Sequence, residues 1–120
     1  MIKVLIVEDE PLLSKMYTKA LSPQEFQVTA VNNSTEGIEK AKLDKPDLIL
    51  LDIMMPEPNG IQALHTLKSD PVTHDIPVVM LTNVSDKLDI SYTTSQGAID
   101  YWIKSEIDVE TLGDKIKGVL

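Results

Sequence analysis

Leu48-Ile49-Leu50-Leu51-Asp52-Ile53-Met54-Met55-Pro56 decides how this chain is read. Four aliphatic residues in a row run straight into a carboxylate. A continuous apolar run of this length, bounded by Pro46 and Pro56, fits a strand buried on both faces of a parallel sheet. The spacing predicts a strand over 47–52, the most apolar of the chain and therefore central. Two more runs end the same way. Residues 2–7 lead into Glu8 and Asp9, and residues 78–81 lead into Thr82. If the three runs lie parallel in one sheet, these polar ends meet at one carboxyl edge, where open α/β sheets place their ligands. Three carboxylates in one cleft repel unless a cation joins them, and a hard divalent metal suits all-oxygen ligands.

The rest of the chain alternates helix and strand. Pro11 suits a first helical position, and Leu12, Leu13, Met16, Tyr17, Ala20 and Leu21 form an apolar stripe. Residues 26–31 alternate as an edge strand. Asn33 and Glu36 have capping-box spacing for a helix that Pro46 stops. Pro56, Pro58, Asn59 and Gly60 make a turn-rich loop before a helix with Ile61, Leu64 and Leu67. Residues 85–95 form the weakest helix, rich in Ser, Thr and Asp. A last strand over 98–103 precedes a helix that Asp108 caps, with Ile107 and Leu112 as a hydrophobic staple and Val109, Leu112, Ile116 and Val119 facing the core. Five strand–helix repeats with short loops predict an α/β domain over residues 1–120: a (βα)5 doubly wound, five-stranded parallel sheet. The order 2-1-3-4-5 makes the acid-bearing first and third strands neighbours.

Composition narrows the function. The chain has 120 residues, is 42% hydrophobic and carries a net charge of −8. It reads as one globular domain. It has no cysteine, which excludes disulfides, thiol catalysis and cysteine-ligated zinc. No secretory signal and no run long enough to span a bilayer is expected, which fits a cytoplasmic protein. All eleven basic residues are lysines. An acidic surface without arginine disfavours direct nucleic-acid binding.

Taken singly, the polar strand ends are unremarkable: Asp52 a junction cap, Glu8 and Asp9 helix-start acids, Thr82 a strand residue, Lys104 a surface lysine. Taken together they form a device. Two carboxylates hold Mg²⁺, a lysine and a hydroxyl bind phosphoryl oxygens, and Asp52 is the nucleophile.

The ordered set resembles the receiver domain of two-component response regulators, a CheY-like family with a flavodoxin-like fold. It rests on Glu8-Asp9, on Leu51–Pro56 with Asn59-Gly60, on Thr82, and on Gly97-Ala98 leading to Asp100-Tyr101 and Lys104. The resemblance implies a phosphoacceptor signalling domain, not an enzyme acting on other substrates. It implies Asp52 as phosphoacceptor, and Asp9 and Glu8, with Asp52 and the Met54 backbone carbonyl, as Mg²⁺ ligands. It implies that Lys104 pairs with Asp52 and later with the phosphoryl group. Thr82 would be the switch hydroxyl and Tyr101 the switch aromatic. The partners implied are a sensor histidine kinase or phosphotransfer protein and a downstream effector, with homodimerisation open. Helix 85–95, the last strand and the last helix would form the output face, with Ile90 and Tyr92 as contact residues.

The chain also departs from the family pattern. Ser105 follows Lys104 where the family has proline, leaving the bond open between cis and trans; a trans bond is expected to re-aim Lys104. Asn83 stands where the family has a small residue, and would narrow access to the site or bond locally. Met54 and Val84 offer nothing to orient a hydrolytic water, which predicts a long-lived phosphoryl group. Trp102 reads as core, its indole N–H in need of a partner.

Rival readings are weaker. A haloacid-dehalogenase-type phosphatase needs an acid where Met54 stands. Glu8-Asp9-Glu10 would repel a flavin phosphate, and the clustered glycines of a dinucleotide fold are missing. A degenerate receiver acting as a phosphorylation-independent binding module is the serious alternative.

Overall fold

The computed structural model describes residues 1–83 and 87–120, with side chains throughout except at 87–90. The strands are β1 (Ile2–Val7), β2 (Phe26–Val31), β3 (Leu48–Asp52), β4 (Val78–Thr82) and β5 (Asp100–Ile103). The helices are α1 (Pro11–Ala20), α2 (Ser34–Asp44), α3 (Gly60–Ser69), α4 (Lys87–Ser95) and α5 (Leu112–Val119). All pairings are parallel and the order is β2-β1-β3-β4-β5, as expected.

Strand alternation sorts the core into two halves. Leu5, Val7, Ile49, Leu51, Val78 and Met80 pack with Ala41 of α2 and Ala63, Leu64 and Leu67 of α3. Val4, Ile6, Leu48, Leu50, Val79, Leu81 and Trp102 pack on the other face with Tyr17 and Leu21, and with Leu112 and Ile116 of α5. Each fully buried aliphatic side chain contributes roughly 1.5–3 kcal/mol. The sheet centre, where both faces of every strand are covered, is therefore the most stable part.

Local signals explain most boundaries. Glu36 N–H donates to Asn33 Oδ1 at 2.9 Å and caps α2. Asn59 is more than a loop residue: its side chain accepts from Gln62 N–H, and Gln62 Oε1 accepts from Asn59 N–H, a complete capping box for α3. At the end of α4, Gly97 has φ +106°, with Gly97 N–H bonded to Thr94 O and Ala98 N–H to Thr93 O. This Schellman closure uses the backbone freedom of glycine.

Several expectations are corrected. Leu12 and Met16 are exposed, by 74% and 43%. Only Leu13, Tyr17, Ala20 and Leu21 reach the sheet side; at 100° per residue, 12 and 16 turn away from a face centred on 13 and 17. β3 starts at Leu48, not 47; Asp47 instead accepts Lys3 N–H on its carboxylate. β5 starts at Asp100, not 98, because Gly97 and Ala98 close α4. Asp108 closes a separate turn, its carboxylate accepting from Glu110 N–H and its backbone carbonyl from Thr111 N–H, and α5 begins only after Thr111. Ile107 and Leu112 still meet in one cluster, while Val109 is only half-buried. The start of the 85–95 helix lies outside the described residues; from Lys87 the helix is present.

Candidate functional site

β1, β3 and β5 deliver three ionisable groups to one buried spot. Glu8 follows the last residue of β1, Asp52 is the last of β3, and Lys104 follows the last of β5. Glu8 and Asp52 are each 1% exposed and Lys104 is 8% exposed. Lys104 Nζ lies 2.7 Å from Glu8 Oε1 and 3.0 Å from Asp52 Oδ1. Glu10 N–H donates to Glu8 Oε2 at 3.1 Å, and Met54 N–H to Asp52 Oδ1 at 3.2 Å. Asp52 Oδ2 is buried and has no hydrogen-bond partner among the described residues.

Two buried carboxylates against one ammonium leave an uncompensated negative charge. Burial pushes the Asp52 carboxyl up to about 7; the hydrogen bond with Glu8 and its charge add to this, and Lys104 opposes it. Burial alone would lower Lys104, but its bonds to Glu8 and Asp52 and their charges outweigh that and hold it raised. Asp9 stands beside them, half-buried. Glu8, Asp9 and Asp52 each offer one carboxylate oxygen, all within 4.8 Å of one another. A hard divalent cation suits this all-oxygen set, would take up the unpaired Asp52 oxygen and would cancel the excess charge.

Gly60 lets the start of α3 come close to the end of β3. A Cβ there would lie 2.0 Å from Asp52 O and 2.7 Å from Ile53 Cα. Gly60 N–H also donates to Ile53 O, seating α3 against the end of β3.

Thr82 is buried at the end of β4, beside Ile103 in register. Tyr101 is half-buried on the α3 side of β5. Tyr92 is 49% exposed on α4. The Ile90 side chain lies outside the described residues, as does Val84. Met54 is 66% exposed and Asn83 is exposed. Trp102 is core, and its indole N–H donates to Asp100 Oδ2 at 3.2 Å.

The Lys104–Ser105 bond is trans. It does not turn Lys104 away, contrary to the expectation for that isomer. Lys104 opens a single 3-10 turn (Lys104–Glu106) and its stem still reaches both carboxylates. Sequence reading placed Tyr17 only in the α1 stripe. Its buried hydroxyl, close enough to feel the charges of Glu8, Lys104 and Asp52, has no signature in sequence.

The chain is similar to known proteins. The family model of the response regulator receiver domain matches residues 4–117. Protein PilH of Pseudomonas aeruginosa is 38% identical over 120 residues, covering 100% of this chain and 98% of that protein. The DNA-binding response regulator MtrA of Mycolicibacterium smegmatis is 33% identical over 102 residues, 85% of this chain but 43% of that protein. The chain thus spans nearly all of PilH and under half of MtrA. The chemotaxis protein CheY4 of Vibrio cholerae superposes with a TM-score of 0.91 at 25% identity, over 100% of this chain and 99% of that one.

Proposed function

The chain belongs to the response regulator receiver domain family, a phosphoacceptor signalling domain, and from that premise we propose that Asp52 takes the phosphoryl group. One observation supports this most strongly: the buried Glu8–Lys104–Asp52 cluster with Asp9 beside it.

The donor is a phosphohistidine of a sensor histidine kinase or a phosphotransfer protein. An ionised Asp52 oxygen attacks phosphorus, the P–N bond breaks, and the histidine leaves with that electron pair and takes up a proton. Glu8, Asp9, Asp52 and the Met54 carbonyl would hold Mg²⁺, which when bound would neutralise charge for the incoming phosphoryl group. Lys104, already 3.0 Å from Asp52, follows the new charge to a phosphoryl oxygen. The Thr82 hydroxyl, at the end of the neighbouring strand, bonds another. Tyr101 then turns inward behind Thr82 and alters the face made by α4, β5 and α5, which contacts the effector through residues such as Tyr92 and Ile90. The chain catalyses only its own phosphorylation and dephosphorylation. With Met54 exposed and apolar beside Asp52, no side chain at that position orients a hydrolytic water, and the phosphoryl group is long-lived.

At net charge −8 with no arginine, this chain does not contact DNA itself; the DNA binding of MtrA is not carried over. No helix among the described residues is long and apolar enough to cross a membrane.

The test is incubation with acetyl phosphate and Mg²⁺, read by intact mass. Wild type gains one phosphoryl group; Asp52→Ala, or wild type with EDTA, gains none. Modification that persists in Asp52→Ala overturns the assignment. No gain in wild type, together with no Trp102 fluorescence response to beryllofluoride and Mg²⁺, favours the phosphorylation-independent binding module.

A further inference from the structure

Tyr17 is 2% exposed, packed with Leu50 and Trp102 in the core beneath α1 and α5. Its hydroxyl has no hydrogen-bond partner among the described residues. An unpaired buried hydroxyl is destabilising, and phenylalanine in the same space would avoid that cost. The position of the hydroxyl suggests why tyrosine stands there. Helical side chains lean toward the N-terminus of their helix. The N-terminus of α1 lies at the carboxyl edge of the sheet, three residues after Glu8, so the phenol runs up the helix toward the acid cluster. The electrostatics agree. Burial pushes the phenol up to about 12, Glu8 is the largest of the charges adding to this, Lys104 opposes, and Asp52 and Glu10 add further. The hydroxyl therefore keeps its proton and can act as a donor.

Lys104 serves two carboxylates with one ammonium. In the phosphotransfer reading above, on which this inference rests, Lys104 moves to a phosphoryl oxygen and Glu8 Oε1 loses its cationic partner. We propose that Tyr17 is a positioning residue of the metal site. Its O–H bonds the Glu8 carboxylate, directly or through one water, once Lys104 leaves, and keeps that carboxylate turned toward the cation.

The experiment is a Mg²⁺ titration of wild type, Tyr17→Phe and Asp9→Asn, with and without beryllofluoride as the phosphoryl mimic that draws Lys104 away, followed by calorimetry and by the tyrosine absorption difference spectrum, with a metal-free melt of each. With beryllofluoride, Tyr17→Phe is expected to bind Mg²⁺ about tenfold more weakly, the size of effect typical of outer-shell partners of a metal ligand. Its metal-free melting temperature stays equal or rises, because an unpaired hydroxyl has gone. The Mg²⁺-induced tyrosine absorption change of wild type disappears. A merely structural role for the phenol would move the melt and leave Mg²⁺ affinity unchanged. If Tyr17→Phe binds Mg²⁺ as wild type does while Asp9→Asn does not, the metal site stands and the role of Tyr17 falls. If wild type does not bind Mg²⁺, both readings fall.

Discussion

β3 and β5 belong to the same sheet and each delivers one partner of the Asp52–Lys104 pair, yet they are built differently. All five residues of β3 are buried. In β5 only Trp102 is buried; Asp100 is exposed, and Tyr101 and Ile103 are half-buried. β3 is covered by helices on both faces and by strands on both edges, whereas β5 is the sheet's outer strand. The residue that must hold still for chemistry sits on a strand buried along its whole length. Tyr101, which is expected to turn inward, sits on the strand with least burial, and switching elements are drawn from the less stable parts of a fold. Lys104 joins the two regions: its backbone belongs to the edge, its ammonium to the centre.

Breaking that junction is expected to have the largest effect. Lys104→Met leaves two buried carboxylates facing each other, and removing one partner of a buried pair costs about 3–5 kcal/mol. Urea unfolding without metal should show this loss near neutral pH, and Mg²⁺ should recover much of it. A loss under about 1 kcal/mol would mean that the cluster is not acting as a buried ion network.

Leu50→Ala, in the middle of β3, comes next, at about 3 kcal/mol from lost burial and the cavity left behind. A comparable loss from Tyr101→Ala would erase the distinction drawn between centre and edge.

The pH response is smaller. The Asp52 carboxyl rises from 3.8 to about 7 on folding, so between these values the folded state holds a proton that the unfolded state has lost. Stability of the metal-free protein therefore falls as pH rises through that window, by about 2 kcal/mol between pH 5 and 7. Asp52→Asn should flatten this dependence in thermal melts taken across that range. Stability that instead rose with pH in wild type would show that the buried cluster carries its charges without strain.

The smallest effect on stability is expected from Tyr101→Phe, under about 0.5 kcal/mol, since its phenol is half-buried at the sheet edge. Its signature is functional: phosphorylation of Asp52 proceeds, and binding of the effector to the phosphorylated form weakens. Unchanged effector binding would remove Tyr101 from the switch.

Much of this was legible in one dimension. The order of elements, the parallel sheet and the acids at strand ends follow from apolar runs that stop at Glu8, Asp52 and Thr82, because burial on two faces leaves a strand no polar residue until it emerges. The misjudged details have a common cause. Leu12 and Met16 were read as core because an apolar helix residue looks alike whether it faces the sheet or solvent. Asp108 was read as the cap of α5 because a capping aspartate and a turn aspartate make the same local bonds, to N–H groups two or three residues on. Asn59 was left in a loop although it caps α3, since the prolines around it hid the start of that helix.

By itself, then, the chain determined which residue types stand at the ends of which strands, and so the kind of chemistry to expect, since that depends only on period and composition. Only the tertiary structure decided the partnerships. Lys104 reaches Glu8 as well as Asp52 through a trans bond before Ser105, Gly60 lies against the Asp52 carbonyl, and the buried Tyr17 phenol feels the charges of the acid cluster. These follow from distances between segments far apart in sequence, which packing of helices on the sheet sets and no local signal encodes.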